Sequence, residues 1–261
     1  MNSLQKRLSG KTIIVTGGAQ GIGAAIVQAI VTQGARAIVA DIDKAGATAL
    51  CHRLTTAGAL AELAELDVTD EDAFRLLALS IQERHGHVDG LVNNAGINVK
   101  YEPLAMPRDE WDRCLDVNLR GAWNGCRAVL PLMIAQRSGS IINMASVHGH
   151  QIIPASFPYP VSKAGLLGMT RSLAVEYASQ GVRVNSISPG YVETPLVDAW
   201  LATVQDPIAT RAEAEALIPA RRFGRAEEVA MTAVFLLSDE APYINAADIA
   251  VDGARMALFH F

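Results

Sequence analysis

Tyr159 and Lys163 are the two residues from which a reaction is most directly read. They stand at i and i+4 at the start of a stretch with helical patterning, Val161–Ala178, with Pro160 in its first turn. The two side chains therefore share one face at the beginning of a helix. A lysine ammonium beside a phenol favours the phenolate and lowers the tyrosine pKa from its reference of ~10. Such a tyrosine removes a proton from an alcohol, or returns one in the reverse direction. Taken alone, the same spacing also describes an ordinary surface pair.

A second constellation lies near the N-terminus. The β-branched run Thr12–Thr16 leads directly into Gly17-Gly18-Ala19-Gln20-Gly21-Ile22-Gly23, where glycines 17, 21 and 23 have the spacing G-x-x-x-G-x-G. A tight turn, an unobstructed backbone and a following helix N-terminus together suit a pyrophosphate. A glycine cluster by itself also suits close helix–strand packing, but its position between strand and helix favours the dinucleotide loop. Asp41 ends the second apolar run, 18 residues after Gly23. A carboxylate there accepts hydrogen bonds from both ribose hydroxyls of an adenosine and repels a 2′-phosphate. No Arg or Lys between Thr16 and Gly34 offsets that repulsion, so the reading is NAD rather than NADP. The plain alternative for Asp41 is a turn or N-cap residue.

These residues need a scaffold, and alternating elements provide one. Short apolar runs at Thr12–Thr16, Ala37–Ala40, Leu63–Val68, Val88–Val92, Ser140–Met144, Arg183–Ile187 and Asp248–Val251 read as strands. Helical stretches fall between them at Gly21–Gln33, Asp43–Thr56, Glu71–Arg84, Trp111–Gln136, Val161–Ala178 and Glu227–Leu237. Pro131 is expected to kink or interrupt the fourth of these, and His85-Gly-His87 reads as a solvated turn. The pattern predicts an α/β fold: one Rossmann-type doubly wound parallel sheet of about seven strands, with helices on both faces and right-handed crossovers. The whole chain, 1–261, is expected to form one domain. Gly190 to Gly224 reads as a long irregular segment after a strand C-terminus, hence a substrate lid, and 254–261 as a C-terminal tail.

In this order the motifs resemble the short-chain dehydrogenase/reductases, over essentially the whole chain from Thr12 to Gly253. The resemblance rests on the Gly17, Gly21, Gly23 loop, on Asp67-Val68, on Asn93-Asn94-Ala95-Gly96 and on Asn118. It rests also on Ser146, on Tyr159-x-x-x-Lys163 and on Pro189-Gly190 followed by Thr194. It implies catalysis by Asn118, Ser146, Tyr159 and Lys163. Ser146 orients the substrate oxygen, and Asn118 holds a water that relays protons from Lys163. It implies a dinucleotide held by Gly17, Gln20, Gly21, Ile22, Gly23, Asp41, Asp67, Val68, Asn94, Ala95, Gly96, Tyr159, Lys163, Pro189, Gly190, Val192 and Thr194. The cationic oxidised nicotinamide also favours the Tyr159 phenolate. A homotetramer built on the two long helices is implied as well. The apolar tail residues Leu258, Phe259 and Phe261 are expected to dock, either on their own subunit or across an interface.

By the same resemblance, substrate meets Asn98, Lys100, His148, His150, Gln151 and Tyr191. This polar lining favours NAD-linked oxidation of a secondary alcohol on a sugar, polyol or deoxy sugar acid, a carboxylate preferring Lys100 or a histidine. Loop residues are commonly polar in any case. One alternative is a 3-oxoacyl thioester reductase, which Asp41 disfavours. Another is a non-catalytic dinucleotide sensor, which the intact Ser146, Tyr159 and Lys163 disfavour. Other classes fall on composition. The 261 residues carry a net charge of -5 with 50% hydrophobic residues, against disorder and general nucleic-acid binding. No apolar stretch approaches a membrane span, and no secretory leader is read at the N-terminus. Cys51, Cys114 and Cys126 form no C-x-x-C pair, the six histidines form no metal motif, and a reduced cytoplasmic setting is expected.

Overall fold

The computed structural model describes residues 6–258. In chain order the elements are β1 (Thr12–Thr16), α1 (Gly21–Thr32), β2 (Arg36–Asp41), α2 (Lys44–Thr56), β3 (Ala61–Glu65), α3 (Glu71–His85) and β4 (Gly90–Asn93). There follow β5 (Lys100–Tyr101), α4 (Arg108–Leu115), α5 (Gly121–Gln136), β6 (Gly139–Met144), β7 (Phe157–Pro158) and α6 (Tyr159–Tyr177). The chain continues through β8 (Val182–Pro189), α7 (Pro195–Leu201), α8 (Pro207–Ala216), α9 (Ala226–Leu237) and β9 (Asp248–Val251).

Seven strands form one parallel sheet in the order β3-β2-β1-β4-β6-β8-β9. Alternate side chains of each strand supply the two faces. Ile13, Val15, Val39 and Ile187 pack with Ile26, Ile30 and Val234 of α1 and α9. Ile14, Ile38, Leu91, Ile141 and Val184 pack with Phe74, Met133 and Leu173 of α3, α5 and α6. Helices on both faces explain why the central strands are apolar throughout. No helix among the described residues is long and apolar enough to cross a membrane.

Several boundaries differ from the sequence expectation. The third strand is Ala61–Glu65, two residues before the predicted start, because its ladder with β2 ends where β2 ends at Asp41. It is also an edge strand, and Glu62 on it accepts from Arg36, Arg84 and His85. His85 is thus engaged, and His87 bonds Asp89 at 2.6 Å, so this segment is not a merely solvated turn. The predicted helix Trp111–Gln136 starts earlier, at Arg108, and runs through Pro131. Pro131 and Arg127, whose carbonyl it leaves without an intrahelical donor, are both exposed, on the solvent side of the helix where such a loss is cheapest. The ladder changes instead at Asp116–Arg120, a single π turn between α4 and α5.

Gly190 to Gly224 is not irregular. It contains α7 and α8, each started by a side-chain cap followed by proline: Thr194-Pro195 and Asp206-Pro207. The segment has its own apolar nucleus, Ala214, Ile218 and Phe223 with Tyr191, Val197 and Trp200. After β9 the chain turns on Asp252, whose carboxylate accepts from the Ala254 and Met256 N–H groups. Leu258 is partly exposed, and Phe259 and Phe261 lie outside the described residues.

Candidate active site

The C-terminal ends of β1, β2, β4, β6 and β8 converge, and the predicted residues gather there, where open α/β sheets place ligands. At the end of β1, Gly17 has φ +61, and a Cβ on it would lie 2.8 Å from Ala95 Cα. A Cβ on Gly23 would lie 2.0 Å from Gly17 O, so neither position admits a side chain. Asn94 clamps the loop, its Nδ2 donating to Thr16 O at 3.0 Å and Gly17 O at 2.9 Å. The buried Thr16 hydroxyl completes the join by accepting from Asn94 N and Ala95 N.

The first turn of α1 has no side-chain cap from Gln20, whereas α2, α3, α7 and α8 are capped by their own Asp or Thr. Its N–H groups and positive dipole end are free for an anion. Asp41 reaches the same loop: Oδ2 accepts from Ala19 N at 2.8 Å and Oδ1 from Asp43 N at 2.9 Å. Each oxygen keeps a lone pair for a further donor. Ile22 is half-buried at the loop, and Thr194 closes over it, its methyl 3.5 Å from where a Gly21 Cβ would be. Gly190 is fixed to β9 through Val251 O, and Val192 is buried. Val68 packs against Gly121, while Asp67 is exposed and accepts from Thr69. An uncapped helix start joined to a fixed carboxylate fits a dinucleotide through its pyrophosphate and ribose.

The catalytic candidates come from three elements. The π turn carries Asn118, which is buried and bonds the Ile97 backbone twice, Oδ1 accepting from N at 2.7 Å and Nδ2 donating to O at 2.9 Å. Ser146 caps a short 3-10 turn after β6, its hydroxyl accepting from His148 N. Tyr159 and Lys163 begin α6. Lys163 Nζ donates to Met144 O at 2.7 Å and stands 5.5 Å from the Tyr159 ring centroid. Gly96 adjoins both, a Cβ there lying 3.2 Å from Asn118 Oδ1 and 3.6 Å from Lys163 Nζ.

Electrostatics overturn one expectation. Burial pushes Tyr159 up to about 12, with the neighbouring Ser146 hydroxyl pulling the other way. Burial pulls Lys163 down to about 8. Lys163 is anchored on a carbonyl rather than on the phenol oxygen, so desolvation, which disfavours the phenolate, dominates in the chain by itself. Sequence reasoning also missed Ser162, fully buried, which accepts from Asn118 Nδ2 and donates to Tyr159 O. Its signal was a serine three residues after Tyr159, on the buried face of the helix.

The proposed substrate residues divide. Lys100 on β5 pairs in register with Pro158 of β7, directly before Tyr159. Its Nζ lies 5.2 Å from the ring centroid of Trp200 on α7. His148 meets Tyr159 edge to face at 5.9 Å. His148 Nδ1 and Asn98 Oδ1 are buried without a partner among the described residues. His150 and Gln151 are turned elsewhere: His150 bonds Asp248 at 2.7 Å, and Gln151 donates to Met256 O. Tyr191 belongs to the apolar nucleus of the Gly190 to Gly224 segment, stacked between Trp200 and Phe223 at 5.5 and 5.1 Å. Among the described residues no three His, Cys, Asp or Glu converge on a metal position.

Comparison with known proteins bears on the whole chain. A family model described as enoyl-(acyl carrier protein) reductase matches residues 17–254. The 3-oxoacyl-[acyl-carrier-protein] reductase of Thermotoga maritima is 38% identical over 247 residues, 95% of this chain and 98% of that protein. The D-threitol dehydrogenase of Mycolicibacterium smegmatis is 38% identical over 248 residues, 95% and 93% of the two chains. The crystal structure of a levodione reductase superposes with a TM-score of 0.93 at 34% identity, covering 97% of this chain and 100% of that one.

Proposed function

The chain belongs to the short-chain dehydrogenase/reductase family, and on that premise we propose that it is an NAD-dependent dehydrogenase that oxidises a secondary alcohol on a small polyhydroxylated substrate, a sugar, polyol or deoxy sugar acid. Oxidised nicotinamide, when bound, supplies the hydride acceptor and a positive charge. The protein's part is to bind, orient and handle the proton.

The observation that carries the cofactor reading is the Asp41 carboxylate, held against the glycine loop by Ala19 N. An anion fixed there accepts from ribose hydroxyls and repels a phosphate in their place. Tyr159 receives the alcohol proton, with Ser146 beside it to hold the same oxygen. Lys163, through Met144 O, and Ser162, through Tyr159 O, hold the start of α6 in place. Asn118 fixes the Ile97 segment that leads to Lys100. The His148 imidazole, edge to face with Tyr159, supports a ligand rich in hydroxyls.

One rival keeps a specific support: the Thermotoga maritima relative is named a 3-oxoacyl-[acyl-carrier-protein] reductase. The test is NADH formation with purified protein across sugars, sugar acids, polyols and hydroxyacyl thioesters, each with NAD and with NADP. NAD-selective turnover of a polyhydroxylated compound is expected. Turnover restricted to thioesters, or a preference for NADP, overturns the reading. A homotetramer is part of the same proposal, supported by the exposed Trp123 on α5 and Val161 and Val175 on α6.

A further inference from the structure

Within that reading, whose substrate class it narrows, we infer that Lys100 is a specificity residue that binds a carboxylate of the substrate, so that the preferred substrate is a small hydroxy acid rather than a neutral polyol. The geometry starts from the two-stranded β5–β7 ribbon. Lys100 stands opposite Pro158 in it, and Tyr159 follows immediately. Directly paired antiparallel residues lie about 5 Å apart. The ribbon that leads into the tyrosine therefore also carries the lysine, whose charge is felt by His148, the ring that meets Tyr159 edge to face at 5.9 Å. Trp200, from the lid, covers the ammonium at 5.2 Å.

The ammonium is uncompensated. Lys100 has no salt bridge within 4.0 Å among the described residues. Glu102, two residues on, caps the next turn, and Glu193, in the segment that carries Trp200, pairs with Arg211. Burial alone lowers the Lys100 pKa, and no carboxylate raises it. Burial, and then the charge of Lys100, lowers that of His148. The wall beside Tyr159 thus carries one positive charge next to a neutral imidazole whose buried Nδ1 has no partner. Lys100 is exposed, so its ammonium beside the Trp200 ring stays within reach of a ligand, and a cation there gains most from a charged acceptor. One charge matches a monoanion, a carboxylate, better than the dianion of a phosphate ester. The imidazole remains for a neighbouring hydroxyl.

The test compares an aldonate with the alditol of the same carbon number, and with a phosphorylated alditol, under NAD. The wild-type protein is expected to favour the aldonate in kcat/KM. Lys100→Met is expected to lower the aldonate-to-alditol ratio of kcat/KM by roughly 100-fold, as loss of a charge-assisted hydrogen bond does, chiefly through KM. Lys100→Arg is expected to keep most of that ratio. Preference for the alditol or the phosphate ester, or an unchanged ratio in Lys100→Met, overturns the carboxylate assignment while leaving the dehydrogenase reading intact. Turnover of none of the three overturns both.

Discussion

In the proposed reaction Tyr159 handles the proton, and its environment assigns it a pH dependence. Its pKa of about 12 in the chain alone means that burial stabilises the phenol against the phenolate. Oxidation requires the deprotonated base, so kcat/KM for oxidation is expected to rise with pH until the phenolate predominates, and the reverse reduction to fall over the same range. Difference absorbance between the wild type and Tyr159→Phe is expected to place the phenol midpoint near 12 without NAD and lower with it. A midpoint at or below the reference of ~10 without NAD contradicts this reading. Asp41 carries the second residue-scale prediction. Asp41→Asn removes the charge but keeps the shape, and is expected to reduce the NAD-over-NADP ratio of kcat/KM by about 10- to 100-fold. An unchanged ratio in cofactor kinetics shows that selectivity lies elsewhere. Both residues were legible in the sequence because each stands at a fixed place in a local pattern, Asp41 at the end of the second apolar run and Tyr159 four residues before Lys163. The direction of the Tyr159 shift was not, because the partner of Lys163 is the Met144 carbonyl, 19 residues away in the chain.

At the scale of elements, the sheet was readable from apolar runs and the helices between them, whereas the helices of the expected lid were not. Its two helices are short, and their period is lost beside the polar residues around them. The Thr194-Pro195 and Asp206-Pro207 starts were nonetheless present as cap and first-turn pairs. The π turn at Asp116–Arg120 leaves no pattern in a one-dimensional reading, since it follows from how Asn118 meets Ile97. The lid rests on Phe223, which is 2% exposed and meets Tyr191 and Arg211. Phe223→Ala is expected to cost the lid about 3–5 kcal/mol of packing. Hydrogen exchange is therefore expected to accelerate in 191–224, with KM rising more than kcat falls. Acceleration spread equally over the β1–β4 core indicates instead that the lid is not an independent unit. His150 and Gln151 show the limit of segment-level inference. They lie in the predicted loop, but their partners, Asp248 and Met256, come from the far end of the chain.

At the scale of the molecule, parallel order and burial on both faces explain how five strand ends bring dispersed motifs to one edge. The aromatic and aliphatic residues left exposed on α5 and α6, Trp123, Val161 and Val175, belong to the same helices that carry the second face of the core. A tetrameric mass by light scattering is expected, and a smaller one for Trp123→Glu. A monomeric wild type contradicts the assembly proposal. The central claim is that this chain oxidises a small polyhydroxylated alcohol with NAD through Tyr159. Its most direct measurement is the rate of NADH formation from the best substrate of that class, for the wild type against Tyr159→Phe of equal thermal stability. The account predicts NAD-selective turnover that falls by about 10²- to 10⁴-fold when the phenol hydroxyl is removed. Turnover that survives the substitution, or appears only with hydroxyacyl thioesters, contradicts it.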